Sequence, residues 1–207
     1  NQVLVALHSV DIEAVGLQDY GRPGNYFARQ IGRWTKQYQA SEIDRIDDMD
    51  RLIQWLPENT PDDDGKLVLA HGDFRLDNMM FHDTESQPIA LLDWELSTLG
   101  HPYADLAYQC MQLRLDNDCV LAGLGGIDRQ VLGIPSEEDY VALYCQRMGI
   151  ESIPNWNFYV IFSMFRFAAI LEGVGQRALG GNASSDKADQ MRDLVKPLAK
   201  MATAMIS

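Results

Sequence analysis

The sequence predicts an α+β fold, mainly helical, with a small β insertion before its middle. Three observations carry that reading. Apolar residues recur at helical spacing on both sides of the insertion. Between residues 67 and 92 the period changes to three short apolar runs. Those runs bracket the densest polar motif of the chain, His71-Gly72-Asp73-Phe74-Arg75-Leu76-Asp77-Asn78, with Leu91-Leu92-Asp93-Trp94-Glu95 following.

Residues 1–10 read as a helix end, with Val3, Leu4, Leu7 and His8 on one face. Gly16, Gly21, Pro23 and Gly24 mark a loop. Phe27, Ile31, Trp34 and Tyr38 then fall at helical spacing, while Arg29, Arg33 and Lys36 share a different face. Ser41 is a candidate N-cap, with Asp44 three residues on, ahead of a stripe of Ile43, Ile46, Met49, Leu52, Ile53 and Leu56 that Pro57 should close. After an acidic loop from Asn59 to Gly65, Leu67–Ala70, Met79–Phe81 and Ile89–Leu92 are the three strand candidates, the last two a hairpin turning through Asp83 to Pro88. The remainder is helical: Tyr103–Leu115; a helix capped by Ser136 with Tyr140, Leu143, Tyr144 and Met148 buried; a long apolar helix from Pro154 to about Leu179; and a last helix through Leu194, Leu198, Met201 and Met205, kinked or restarted at Pro197. Gly123, Gly125 and Gly126 occupy a loop between helices. There is no internal repeat.

A net charge of −13 over 207 residues argues against non-specific nucleic-acid binding. The charge is uneven: residues 21–40 carry four cations and no acid, and residues 41–64 carry nine acids, the pattern of a solvated face. Cys110, Cys119 and Cys145 form no CxxC pair, which suggests buried thiols in a reducing compartment, taken as the cytoplasm. The longest apolar segment, Phe158–Leu171, is interrupted by Arg166 and falls short of a membrane span. Asn1 opens inside a helix with neither an initiator methionine nor a signal-like segment, so the chain is expected to start within a longer protein. Nothing in the sequence specifies an oligomeric state.

The central motif supplies what phosphoryl transfer from a metal-bound nucleotide to a hydroxyl requires, which is positioning and charge neutralisation. Asp73, on a loop after a strand, is the candidate carboxylate to orient an acceptor hydroxyl and take its proton. Asn78 opens the next strand and Asp93 ends the third. In a hairpin these positions converge, and one amide with one carboxylate suits Mg²⁺, which keeps much of its coordination for phosphate and water. Arg75 could contact the transferred phosphoryl group. His71 is expected to hold the loop by hydrogen bonds rather than ligate metal, with Gly72 supplying backbone freedom beside it.

His71-Gly72-Asp73 to Asn78 resembles the catalytic loop of the aminoglycoside phosphotransferase and choline-kinase-like family, relatives of the protein kinases. Leu92-Asp93-Trp94-Glu95 is similar to that family's metal-binding segment, and Gly100-His101-Pro102-Tyr103-Ala104-Asp105-Leu106-Ala107 to the stretch after it. Leu7-His8-Ser9-Val10-Asp11 is similar to a family helix end, and Tyr26 to Trp34 to the subgroup linked with acyl-CoA dehydrogenases. The resemblance implies the C-terminal lobe of a protein-kinase-like fold: residues 1–66 a helical acceptor-side segment, 67–95 the catalytic loop and hairpin, 96–207 a helical body. It implies ATP and Mg²⁺ as cofactors, Asp73 as catalytic base, Asn78 and Asp93 as metal ligands, Asp105 as a structural residue bonding back to the catalytic loop, and a small hydroxyl compound as acceptor.

The family's N-terminal lobe brings a phosphate-covering loop, a strand lysine and an adenine hinge. No matching strand set or lysine precedes His71, so the chain alone is expected to turn over little ATP. Arg29, Arg33 and Trp34 are acceptor-site candidates; the cationic face would suit a carboxylate, phosphate or CoA group, or be a solvated helix face, and the first reading of Trp34 is core. Two rival readings stand beside the kinase: a nucleotide-binding or scaffold domain without turnover, and a metallohydrolase using His71, Asp73, His82, Asp83, Asp93 and His101. No HxH or HxxxH spacing organises that second set.

Overall fold

The computed structural model describes residues 1–118, 121–179 and 188–206. The backbone gathers into two compact units that interleave along the chain. Residues 1–26, 63–114 and 124–154 form the first, and residues 27–62, 115–123 and 155–207 the second. Segment 67–95 falls wholly in the first unit, whereas segments 1–66 and 96–207 are shared between the two.

The first unit holds α1 (Gln2–His8), four short strands β1 (Val68–Ala70), β2 (Met79–Phe81), β3 (Pro88–Leu91) and β4 (Thr98–Gly100), then α4 (Pro102–Met111) and α5 (Glu137–Met148). The strands make two separate antiparallel pairs. β2 and β3 are the expected hairpin, with Met79 opposite Leu91 and Met80 opposite Ala90. β1 pairs with β4, Val68 opposite Gly100 and Ala70 opposite Thr98. That second pairing has no counterpart in the sequence reading, because a three-residue strand ending in glycine shows no period to detect. α4 is buried on every side, from Pro102 through Met111, so its helical pattern reads as a continuous apolar run rather than a stripe. His101 caps it, accepting the Tyr103 N–H at Nδ1, and Pro102 takes the first helical position, where its missing N–H costs nothing. Ser136 caps α5 as anticipated by accepting the Asp139 N–H at 3.0 Å. Only Tyr144 and Cys145 of that helix are fully buried. Tyr140, Leu143 and Met148 lie half-buried, a narrower stripe than the sequence suggests.

The second unit packs α2 (Tyr26–Ser41), α3 (Asp47–Glu58), α6 (Trp156–Leu179), α7 (Ala188–Arg192) and α8 (Val195–Thr203). Phe27, Ile31, Trp34 and Tyr38 are all buried, as their spacing predicts. Ser41 is not an N-cap. It is the last residue of α2, and its hydroxyl donates back to the Gln37 carbonyl at 2.8 Å. The next helix begins at Asp47 instead, with Ile46 in the cap position. The cause is Glu172, fully buried on α6, whose Oε1 accepts the Ile43 N–H at 2.9 Å and pins residues 42–46 in a non-helical path. Asp47, Asp48 and Asp50 then sit in the first turn of α3, where acids favour the helix dipole. Pro57 lies inside the last turn of α3, one residue before its end. α8 starts at Val195, which places Pro197 in its first turn.

α6 runs 24 residues, close to the expected bounds, and has the length and mean hydropathy (1.5) of a membrane span, longer than the apolar run Phe158–Leu171. Its apolar window is nonetheless 89% buried within the protein, mainly against α7 and α8. Arg166 lies within it, its guanidinium 5.3 Å from the Trp34 ring centre. Cys110 and Cys145 are free and buried, and burial pushes both thiols up, which keeps them protonated. Cys119 lies outside the described residues.

Gly100 tests the β1–β4 pairing. A Cβ there would lie 2.6 Å from Tyr26 Cε2 and 3.2 Å from Ala70 Cβ. Gly100→Ala is expected to destabilise by about 1–3 kcal/mol through overpacking, read as a lower urea midpoint; an unchanged midpoint would show that Tyr26 moves aside freely.

Candidate active site

The site grows from the end of β1. Ala70, fully buried, delivers His71 and Gly72 to the face of α4. There Asp105, with only 1% of its surface exposed, accepts the His71 N–H at 2.6 Å on one oxygen and the Gly72 N–H at 2.8 Å on the other. His8 of α1 stands 3.4 Å from the same carboxylate through Nε2, and its Nδ1 meets the Tyr144 hydroxyl of α5 at 2.7 Å. Burial opposes ionisation of Asp105 more than any other single influence. The hydrogen bond and charge of His8, with the Gly72 and His71 N–H groups, outweigh it and hold the carboxyl below the usual carboxylate range.

Gly72 has φ +83°, and a Cβ there would collide with the Leu96 carbonyl. Only glycine fits that turn without strain. The His71 ring accepts the Asp73 N–H at Nδ1 (3.2 Å), which leaves Nε2 as the protonated nitrogen donating to the Leu92 carbonyl at 2.9 Å. The ring also packs against Trp94, with centroids 4.8 Å apart. His71 therefore ties the catalytic-loop candidate to the segment leading into Asp93.

Asp73 and Asn78 are in direct contact. The Asn78 Nδ2 donates to Asp73 Oδ2 at 2.8 Å and to the Asp73 carbonyl at 2.9 Å, across a 3₁₀ turn (Leu76–Asn78). The Leu92 N–H donates to the Asn78 carbonyl at 2.8 Å. Leu92 thus bonds both ways, to the His71 ring and to Asn78, immediately before Asp93. Asp93 itself is exposed and adopts a left-handed conformation (φ 62°, ψ 64°), which costs a non-glycine residue about 1–2 kcal/mol. Its carboxylate accepts no hydrogen bond among the described contacts.

Arg75 does not stand free. Its Nε donates to Asp77 Oδ2 at 2.8 Å, and Nη2 pairs with the same oxygen. Sequence reasoning aimed Arg75 at a phosphoryl group and gave Asp77 no part. An Arg-x-Asp spacing on a turn is the signal that was available. The roles of His8 and Tyr144 were likewise not drawn out, although a histidine on a core-facing helix position marks a group in need of a partner.

Arg29, Arg33 and Trp34 lie on α2 in the second unit. Trp34 is 3% exposed, donates Nε1–H to Gln30, and has the guanidinium groups of Arg33 and Arg166 within 5.0 and 5.3 Å of its ring centre. It is a core residue and has no face left for an acceptor. His82 and Asp83 sit exposed at the hairpin turn. His101 caps α4 and lies 3.2 Å from Asp64. The set proposed for a metallohydrolase is thereby dispersed, and among the described residues no three His, Cys, Asp or Glu side chains are grouped to hold a metal.

A helical body carrying a small hairpin, with an Asp–Asn pair on one loop and a second Asp bonded to it through the backbone, is the arrangement of a kinase-like phosphotransferase. The chain belongs to the phosphotransferase enzyme family, whose pattern matches residues 1–133. It is 50% identical over 203 residues to mouse acyl-CoA dehydrogenase family member 10, covering 98% of this chain and 19% of that protein. It is 44% identical over 200 residues to rat acyl-CoA dehydrogenase family member 11, covering 96% of this chain and 26% of that protein. The chain therefore spans about a fifth to a quarter of the curated relatives it matches. A crystal structure from Ralstonia eutropha JMP134, of a candidate aminoglycoside phosphotransferase, superposes with a TM-score of 0.93 at 49% identity, covering 99% of this chain and 62% of that one. A type I macrolide 2′-phosphotransferase shares the fold at 14% identity, with a TM-score of 0.57 over 96% of this chain and 56% of that one.

Asp105→Asn puts an amide N–H₂ against backbone donors. It is expected to cost about 2–4 kcal/mol at neutral pH. Because the folded carboxyl titrates below its unfolded value near 3.9, its contribution is complete above about pH 4 and is lost as pH falls further. The stability gap between the two proteins should therefore narrow in acid, as measured by urea unfolding across pH; a constant gap would remove the charge from the argument.

Proposed function

We propose that the chain is the catalytic half of an ATP- and magnesium-dependent phosphotransferase acting on a hydroxyl of a small molecule. The observation that supports this most is the Asp73–Asn78 contact, with Asp93 brought alongside through Leu92. The donor set fits the metal. Asn78 uses its nitrogen on Asp73, which turns its Oδ1 to other work, and the Asp93 carboxylate is exposed and unbonded. Two protein oxygens are what Mg²⁺ takes when phosphates and water fill the rest of its shell. Bound there, the metal–nucleotide supplies the phosphorus under attack and neutralises charge on its outer phosphates.

The chain's own residues then have distinct tasks. Asn78 holds one oxygen of Asp73 in place, so that the other, Oδ1, can accept the acceptor's hydroxyl proton as base. Gly72 and Asp105 fix the backbone from which Asp73 projects. Arg75, already paired with Asp77, braces the turn and keeps Nη1 as its one unbonded nitrogen for a phosphoryl oxygen. The hairpin also leaves Met80, Ile89, Leu92 and Trp94 between 40% and 55% exposed. On this reading an adenine ring or a nucleotide-binding lobe would cover them. The acceptor is assigned only as a small hydroxyl compound.

In the full-length protein, assayed with MgATP and a panel of hydroxylated metabolites, Asp73→Asn is expected to lower kcat by roughly 10²–10⁴ with thermal unfolding unchanged. Asp93→Asn is expected to raise the Mg²⁺ concentration needed for half-maximal rate. An Asp73→Asn protein that turns over at the native rate would remove Asp73 from the role of base; nucleotide binding without transfer to any acceptor would favour a scaffold.

A further inference from the structure

The polar cluster at the start of α4 has no task in the chemistry proposed above. His101 is 5% exposed and closes the helix N-terminus with its ring, Nδ1 accepting the Tyr103 N–H at 3.2 Å. An imidazole nitrogen that accepts carries no proton, so the ring is neutral here and its single N–H is at Nε2. That N–H donates to Asp64 Oδ1 at 3.2 Å. Asp64 also accepts the Lys66 backbone N–H at 3.1 Å and pairs with the Lys66 ammonium, which lies 5.4 Å from the centre of the Tyr103 ring. Asp63 beside it accepts the Asn25 N–H at 2.7 Å and the Gly65 N–H at 3.2 Å. Within the first unit, the imidazole thus joins the first turn of α4 to the segment entering β1. At the other end of β1, Asp105 of the same helical turn holds His71 and Gly72. One turn of helix therefore clasps both ends of that strand.

A second proton on the His101 ring has to go to Nδ1. There it faces a backbone donor instead of an acceptor, and it sets a full positive charge at the positive end of the helix dipole. We infer that His101 is a proton-operated latch on the loop that carries Asp73: neutral, it closes the first turn of α4 and keeps Asp105 seated on His71 and Gly72; protonated, it opens that turn and loosens the seat. Burial is the largest influence on the ring and opposes its charge. Asp64 and Asp63 favour the charge and Lys66 opposes it, and the balance holds the His101 pKa below its ordinary value. The unfolded ring titrates near 6.5. The stability contributed by the neutral cap is therefore complete above about that pH, and it is lost as pH falls through the lower folded value. This loss begins at a higher pH than the one set by Asp105.

Proton NMR of the 207-residue chain, taken from about pH 7 down to the onset of acid unfolding, reads the latch directly. The His101 Cε1–H resonance is expected to titrate below about 6.5. The His71 and Gly72 N–H resonances should shift with the same midpoint, and Gly72 should lose protection from hydrogen exchange as they do. His101→Asn keeps a side-chain oxygen for the cap and cannot charge. In that variant the two amide shifts should vanish over this range, and the urea midpoint should depend less steeply on pH. Asp64→Asn leaves the cap in place and removes the acid that most favours the charged ring, so the His101 midpoint should move to lower pH; this variant keeps the test decisive where His101→Asn folds poorly. A native midpoint at or above the ordinary histidine value, amides that stay still while His101 titrates, or the same amide shifts in His101→Asn would overturn the inference. So would a ring that stays neutral until the whole chain unfolds, since no open latch would then exist. No nucleotide, acceptor or turnover enters these measurements, so their outcome is separate from the phosphotransferase assignment.

Discussion

The bidentate grip of Asp105 on two consecutive backbone N–H groups is the interaction on which the rest of the site depends. A carboxylate with 1% of its surface exposed would be strongly penalised if left alone. Here each oxygen takes one N–H, from His71 and Gly72, and His8 Nε2 lies 3.4 Å from one of them. For two successive N–H groups to converge on one acceptor, the backbone between them must turn sharply. That requirement explains the positive φ at Gly72 and the absence of room for a Cβ. It also explains why the polar contact reaches across α1, α4 and α5 rather than staying within the loop. His8 and Tyr144 keep the carboxylate's far side satisfied, and without them the penalty would return.

From that anchor, order passes outward by hydrogen bonds of stated direction. The His71 ring can donate to Leu92 only because its other nitrogen accepts from Asp73. Leu92 in turn donates to Asn78, and Asn78 donates to Asp73. The circuit closes on the residue it started from, and Asp93 follows directly after Leu92. The left-handed backbone at Asp93 is the strained point of this circuit. Strain of this kind persists where the surroundings over-determine it, and it gathers at functional positions. Here the bonds on both sides of Leu92 do the determining.

Much of this was legible in the sequence, and the exceptions share physical causes. The hairpin, the stripe of α2 and the cap of α5 each rest on local patterns, either a period or a cap residue beside its helix, and each was read from the residues. Ser41 was misread because a serine at a helix end can cap forward or bond backward to the previous turn, and the choice belongs to Glu172, 131 positions away in the chain. β4 was missed because three residues cannot display a period. The pairing of Arg75 with Asp77, two residues on, was not read, because attention to a ligand passed over the acid beside it. His71, Asp73, Asn78 and Asp93 were singled out by residue type and spacing. The contacts that tie the Asp93 segment to His71 and Asn78 run through Leu92, whose backbone does the work while its side chain gives no signal.

The sparseness of the proposed metal site has its own logic. One amide oxygen and one carboxylate bind a hard cation weakly without phosphate. On the phosphotransferase reading, metal affinity therefore rises only when nucleotide supplies the remaining oxygens, and the empty protein avoids holding an unshielded dication beside Asp73. A third carboxylate would tighten the metal at the expense of that coupling, and it would repel the phosphates the site must admit. The chain is acidic overall, with a net charge of −13, yet no third acid joins this cluster among the described residues. Arg75, close to Asp73 and already neutralised by Asp77, follows the same rule. A bare guanidinium would pair with the Asp73 carboxylate, whereas a paired one leaves that carboxylate available for the role of base proposed for it.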